Sequence, residues 1–138
     1  MKAKEVIAGR YKVLGTMEQD TCPALEFLLE DEANTRASRN GLLLMLQHVA
    51  ANGFDGIPAA WSHEVNKDEG IYEFIKGPLR LFYFKGVGNS IAVCTGGIRK
   101  KTKKVDKPSV DYAIRMKKKY WDALDKGSLE IIKDEDHN

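Results

Sequence analysis

The sequence predicts one α+β domain, an antiparallel or mixed sheet with an N-terminal helical hairpin and a C-terminal helix packed against it. Three observations predict it. Apolar residues recur at helical spacing between positions 23 and 52, alternate at strand spacing between 61 and 94, and return to helical spacing behind Pro108. At 138 residues, 43% of them apolar, the chain has the length for one hydrophobic core and little room for two.

Val6, Ile7, Tyr11, Val13 and Leu14 supply a first strand, interrupted by Gly9. Asp20 and Thr21 stand as N-caps ahead of Pro23, which fits a first helical turn. Leu25, Leu28 and Leu29 then keep i, i+3, i+4 spacing, so a helix is predicted over 23–33. Asn34 and Thr35 offer a second cap, and Leu42, Leu43, Met45, Leu46 and Val49 make a largely buried helix that stops at Asn52 and Gly53. These two elements form the hairpin. Trp61, His63 and Val65 alternate with Ser62 and Glu64, positions 66–70 read as a turn, and 71–75 has the composition of a second strand. Gly77 and Pro78 break the chain before a strand over 79–84, and a turn over 86–90 leads into 91–94, completing a four-stranded antiparallel meander. Gly86, Gly88, Gly96 and Gly97 read as turn residues between strands, so their spacing carries no nucleotide-binding weight. Asp106 or Lys107 caps a last helix with Pro108 in its first turn, and Val110, Ile114, Trp121 and Leu124 share its apolar stripe. The domain is expected to fill 1–132, with 133–138 as a frayed acidic tail.

Cys22 and Cys94 match no metal-ligand spacing, so neither a disulfide framework nor a metal site is expected, and no cofactor motif is present. No stretch reaches the roughly 20 apolar residues of a membrane span, and the first residues lack the apolar run of a secretory signal. A cytoplasmic protein without a membrane partner is the expectation.

Charge is the informative asymmetry. Positions 76–121 hold thirteen Lys+Arg against two Asp+Glu, while the chain on either side is acidic, so a formal net charge of +2 conceals a strongly basic segment. Such a segment set on a sheet is suited to a polyanion. Arg80 alternates with Leu79, Leu81 and Tyr83 and so shares a face with Phe82 and Phe84, where a guanidinium can fork to a phosphate; its bland alternative is an ion pair with Glu73 or Glu64. Arg99, Lys100, Lys101, Lys103 and Lys104 place five cations in six positions. Attack of a ribose 2′-OH on its own phosphate builds negative charge that fixed cations stabilise, and Lys100 and Lys101, nearest the strand, are the best placed for it. Arg99, Lys103 and Lys104 suit RNA binding. For acid–base work His63 is the candidate among three histidines, with Tyr83 or a lysine of lowered pKa as substitutes. His48 sits in an apolar helix as a packed or capping residue, His137 is in the tail, and both cysteines read as structural.

The runs Ile71-Tyr72-Glu73-Phe74, Leu79-Arg80-Leu81-Phe82-Tyr83-Phe84 and Ile98-Arg99-Lys100-Lys101-Thr102, followed by Lys107-Pro108 opening a helix, resemble the phage-derived HigB-like branch of the RelE toxin superfamily. The resemblance spans about positions 23–120. It implies a small α+β toxin of a type II toxin–antitoxin system, an endoribonuclease (mRNA interferase) that cuts messenger RNA on the ribosome and is neutralised by a HigA-like helix-turn-helix antitoxin. Arg80 matches the family's strand arginine. The stretch 100–108 is longer than the pattern's and the acidic tail is extra, which leaves as rivals a non-catalytic prophage protein that binds nucleic acid or the ribosome on the same fold, or a protein-interaction module.

Overall fold

The structure, a computed structural model, describes residues 1–133; the rest of the predicted acidic tail, with His137, lies outside the described residues. It is α+β. Seven strands, β1 (Lys2–Ala8), β2 (Lys12–Thr16), β3 (Ser62–Asn66), β4 (Ile71–Lys76), β5 (Leu79–Phe84), β6 (Ser90–Arg99) and β7 (Glu130–Ile132), form one mixed sheet in the order β3-β4-β5-β6-β2-β1-β7. Helices α1 (Pro23–Leu28) and α2 (Arg36–Asn52) cover one face, and α3 (Lys107–Asp125) covers the other.

The meander from β3 to β6 is antiparallel throughout, and β5 lies at its interior with both faces buried. Alternation sorts its side chains. Leu79, Leu81 and Tyr83 pack with α1 and α2, whereas Phe82 and Phe84 pack under α3, on the face that also carries Arg80. In α2 the residues Leu42, Met45, Leu46, Val49 and Ala50 are buried at helical spacing. Buried Arg39 ties the preceding loop down: its Nε donates to the Phe27 carbonyl at 2.9 Å, its Nη1 to Thr35, and its Nη2 meets Glu30 at 2.6 Å. At the start of α3 the Asp106 carboxylate accepts from the Ser109 amide at 3.2 Å, with Pro108 in the first turn.

Several expectations are corrected. The helical hairpin is less N-terminal than expected, because the single strand read over Val6 to Leu14 is a hairpin of two, β1 and β2, and α1 ends at Leu28 rather than running to Ala33. The sheet extends beyond the meander: β2 pairs with β6 and β7 with β1, both in parallel. Gly96 and Gly97 are not turn residues; β6 continues through them to Arg99. The buried stripe of α3 is Val110, Ala113, Met116, Tyr120 and Ala123, and Trp121 is exposed. Cys22, not Asp20 or Thr21, occupies the N-cap position of α1.

The long β6 strand has a consequence for the site. Its last Cα partner on β2 is Cys94, so beyond that point β6 is flanked by β5 on one side only, and α1 packs against it. Gly97 makes this approach possible, since a Cβ there would fall inside the Phe27 ring. Gly97→Ala should therefore destabilise the fold by about 1–3 kcal/mol through overpacking, measured by urea unfolding; an unchanged midpoint would mean that α1 shifts freely.

Candidate active site

Antiparallel register assembles three ionisable side chains on the α3 face. His63 pairs with Glu73 across β3 and β4, Glu73 with Phe82 across β4 and β5, and Ile75 with Arg80 one step along. Glu73 thus lies between His63 and Arg80. His63 Nδ1 is 3.4 Å and Arg80 Nε 3.8 Å from the same oxygen, Oε2 of Glu73. The carboxylate is 6% exposed, Arg80 18% and His63 58%, so the cluster runs from a buried anion outward to an accessible imidazole.

Burying a carboxylate is costly unless charge or hydrogen bonds compensate it, and the Arg80 guanidinium supplies charge here. The bland alternative for Arg80, a pair with Glu73, is present, but 3.8 Å is too long for a hydrogen bond. Arg80 Nε is buried without a hydrogen-bond partner, and Nη1 donates to the carbonyls of Gly77 and Leu79 at 2.8 and 2.9 Å. Those bonds anchor the guanidinium to its own strand. They leave Nη2 without a hydrogen-bond partner among the described residues and able to meet a ligand.

The lysine loop reaches the same place. The Lys100 amide donates to the Pro78 carbonyl at 2.7 Å, extending the β5–β6 ladder and fixing the base of the loop. Arg80, Lys100, Lys101, Thr102 and Lys103 then line an open cavity of about 370 Å³. Arg80, Lys100 and Lys101 are therefore brought together, with Lys103 beside them, while Lys104 lines a neighbouring hollow with Asp106. Arg99 is held differently: its Nη1 meets Glu32 at 2.8 Å, which ties the end of β6 to the loop before α2.

Tyr83 is placed apart. It lies on the α1–α2 face, 2% exposed, stacked on Phe74 and hydrogen-bonded to Ser62 at 2.6 Å, and burial pushes its phenol well above the usual range. His48 is exposed on α2, edge-on to Trp61. Cys22 and Cys94 are free and buried, and burial raises both thiols, as expected of structural cysteines. Among the described residues no group of His, Cys, Asp and Glu could hold a metal ion, and no helix is long and apolar enough to cross a membrane.

Glu73 is the site residue that sequence reasoning treated only as a partner. Its signal was a lone carboxylate inside the β-rich run Ile71-Tyr72-Glu73-Phe74-Ile75, where an unpaired charge is expensive. Neither a protein-family model nor a curated protein sequence matches the chain.

Lys103 and Lys104 are exposed and form no ion pair among the described residues, whereas Arg99 does. RNA affinity should fall with salt at a log–log slope of about −0.7 per phosphate contact on single strands, and Lys103→Glu with Lys104→Glu should flatten it. Fluorescence anisotropy across a salt series measures this. Affinity that ignores salt would remove the electrostatic account.

Proposed function

We propose that the chain is the endoribonuclease toxin of a type II toxin–antitoxin system, similar to the HigB-like branch of the RelE superfamily. It cuts messenger RNA held on the ribosome, in the cytoplasm, and a helix-turn-helix antitoxin neutralises it. What supports the fold comparison is the antiparallel meander followed by a proline-started helix on the Arg80 face. What carries the activity is Arg80, which belongs both to the cluster with His63 and Glu73 and to the cavity lined by the loop lysines.

The arrangement divides the work of RNA cleavage. Neutral His63 takes the proton of a ribose 2′-OH, with the Glu73 carboxylate orienting the ring and stabilising the imidazolium that forms. The 2′-oxygen then bonds to phosphorus while the bond from phosphorus to the 5′-oxygen breaks. Arg80 and Lys100 neutralise the extra charge of the five-coordinate phosphorus, and a loop ammonium such as Lys101 gives its proton to the departing 5′-oxygen. The products are a 2′,3′-cyclic phosphate and a 5′-hydroxyl. An exposed histidine and an open cavity bind substrate loosely, which suits an enzyme that relies on the ribosome to hold the strand in line.

Inducing the chain in bacteria and mapping messenger RNA 5′ ends tests the proposal. Growth arrest with cuts inside translated frames is the expected outcome. Normal growth with intact messages would contradict it and favour the non-catalytic binding protein.

A further inference from the structure

The last part of β6 has no strand on its outer side. Its pairing with β2 ends at Cys94, and from Gly96 to Arg99 it pairs with β5 alone. The Lys100 amide donates to the Pro78 carbonyl, so Lys100, Ile98 and Gly96 turn their backbone groups toward β5. Gly97 and Arg99 have the opposite parity. Their N–H and C=O turn outward, where no backbone group among the described residues meets them. Gly96, Gly97 and Ile98 are only half-buried. Such a bare row of donors and acceptors is a template on which another strand pairs.

The row lies at the floor of a groove of about 430 Å³, walled by Pro23, Glu26 and Glu30 on the α1 side and by Pro108 and Tyr112 of α3. The recess selects the occupant. A second copy of the chain carries its own β6 edge between the same two helices, so the two edges cannot meet. The α1 side belongs to the most acidic stretch of the chain: positions 13–35 hold six Asp+Glu and no Lys or Arg. Glu30, Asp31 and Glu32 are taken by Arg39, Arg36 and Arg99. Glu18, Asp20 and Glu26 are exposed and form no ion pair among the described residues. Burial first, and then Glu18, raise the Tyr112 phenol, so this carboxylate stands near the α3 wall. One side of the groove is therefore anionic and the other largely apolar.

We propose that this groove binds an extended segment of a partner protein, paired to the outer edge of β6, in which lysine or arginine alternates with apolar residues. Successive side chains of a strand point to opposite faces, so one set meets Glu26 and the acidic α1 side while the other meets Tyr112 and Pro108. Main-chain hydrogen bonds to Gly97 and Arg99 supply affinity, and the alternation supplies specificity. The free carboxylates repel nucleic acid and acidic segments alike. The inference stands on the sheet edge and its charge, and does not rest on the ribonuclease reading.

The test uses the full chain and a short capped peptide of alternating lysine and valine, with binding read by NMR. The peptide should shift the amides of residues 96–99 and slow hydrogen exchange at the Gly97 and Arg99 amides about tenfold or more. N-methylating every second residue of the peptide should abolish binding in one parity and spare it in the other, because only one parity faces β6. Exchanging its lysines for glutamates should abolish binding, and Glu26→Lys, a surface change, should weaken it about tenfold. Shifts without slower exchange at Gly97 and Arg99, equal binding of the two N-methylated peptides, or no binding would overturn the proposal. Slow exchange of the same amides in a dimer formed without peptide, seen by light scattering, would give the groove to a second copy and overturn it as well. None of these outcomes bears on RNA cleavage.

Discussion

Arg80→Ala should lower RNA cleavage about a hundredfold and abolish growth arrest, while RNA binding weakens only modestly. The guanidinium is held by two carbonyls of its own strand and lies at the wall of the lysine-lined cavity, so it meets the phosphate with little reorganisation. Loss of one such transition-state cation costs on the order of 3 kcal/mol in the barrier, whereas one phosphate contact among several is a small part of binding. Arg80→Lys should rescue poorly, since an ammonium cannot reproduce the planar fork. Removing Arg80 also leaves Glu73 buried beside His63 alone, so some stability is lost with the activity. A thermal melt beside the cleavage assay separates the two effects: Arg80→Ala should stay folded at the assay temperature while its cleavage is lost. Full activity in folded Arg80→Ala would take Arg80 out of the site.

His63→Ala should cost about a hundredfold to ten-thousandfold in the cleavage step, the range for loss of a general base. Glu73 faces His63 directly and Arg80 lies behind it, so Glu73→Gln, which keeps the shape of the side chain, should also slow cleavage by weakening the hold on the ring. Single-turnover rates on ribosome-bound message, beside a thermal melt, read this. Full activity in folded His63→Ala would take His63 out of the site.

Much of this site was legible in the sequence because β5 follows a period of two without interruption. Parity alone sets Arg80, Phe82 and Phe84 against Leu79, Leu81 and Tyr83, and so separates Tyr83 from Arg80. The start of α3 was equally readable, since Asp106, Pro108 and Ser109 act within one turn. What escaped depends on residues far apart in the chain. The β7 strand is three residues long and exists only by pairing with β1, more than a hundred positions away. Gly96 and Gly97 resemble a turn locally, and it is their pairing with Phe82 and Leu81 of β5 that makes them a strand. Glu73 joins the site through cross-strand register, which depends on the turn between β3 and β4 and on an irregularity near Asn66 that no periodicity announces.

The central claim is that these side chains cut RNA by attack of its own 2′-oxygen. A ribosome-bound message carrying one 2′-deoxynucleotide on the 5′ side of a mapped cut tests it most directly. The account predicts that cutting stops at that position alone, while cuts at neighbouring ribonucleotides continue and leave 2′,3′-cyclic phosphate ends. Cleavage at the deoxy position at the unmodified rate would contradict it.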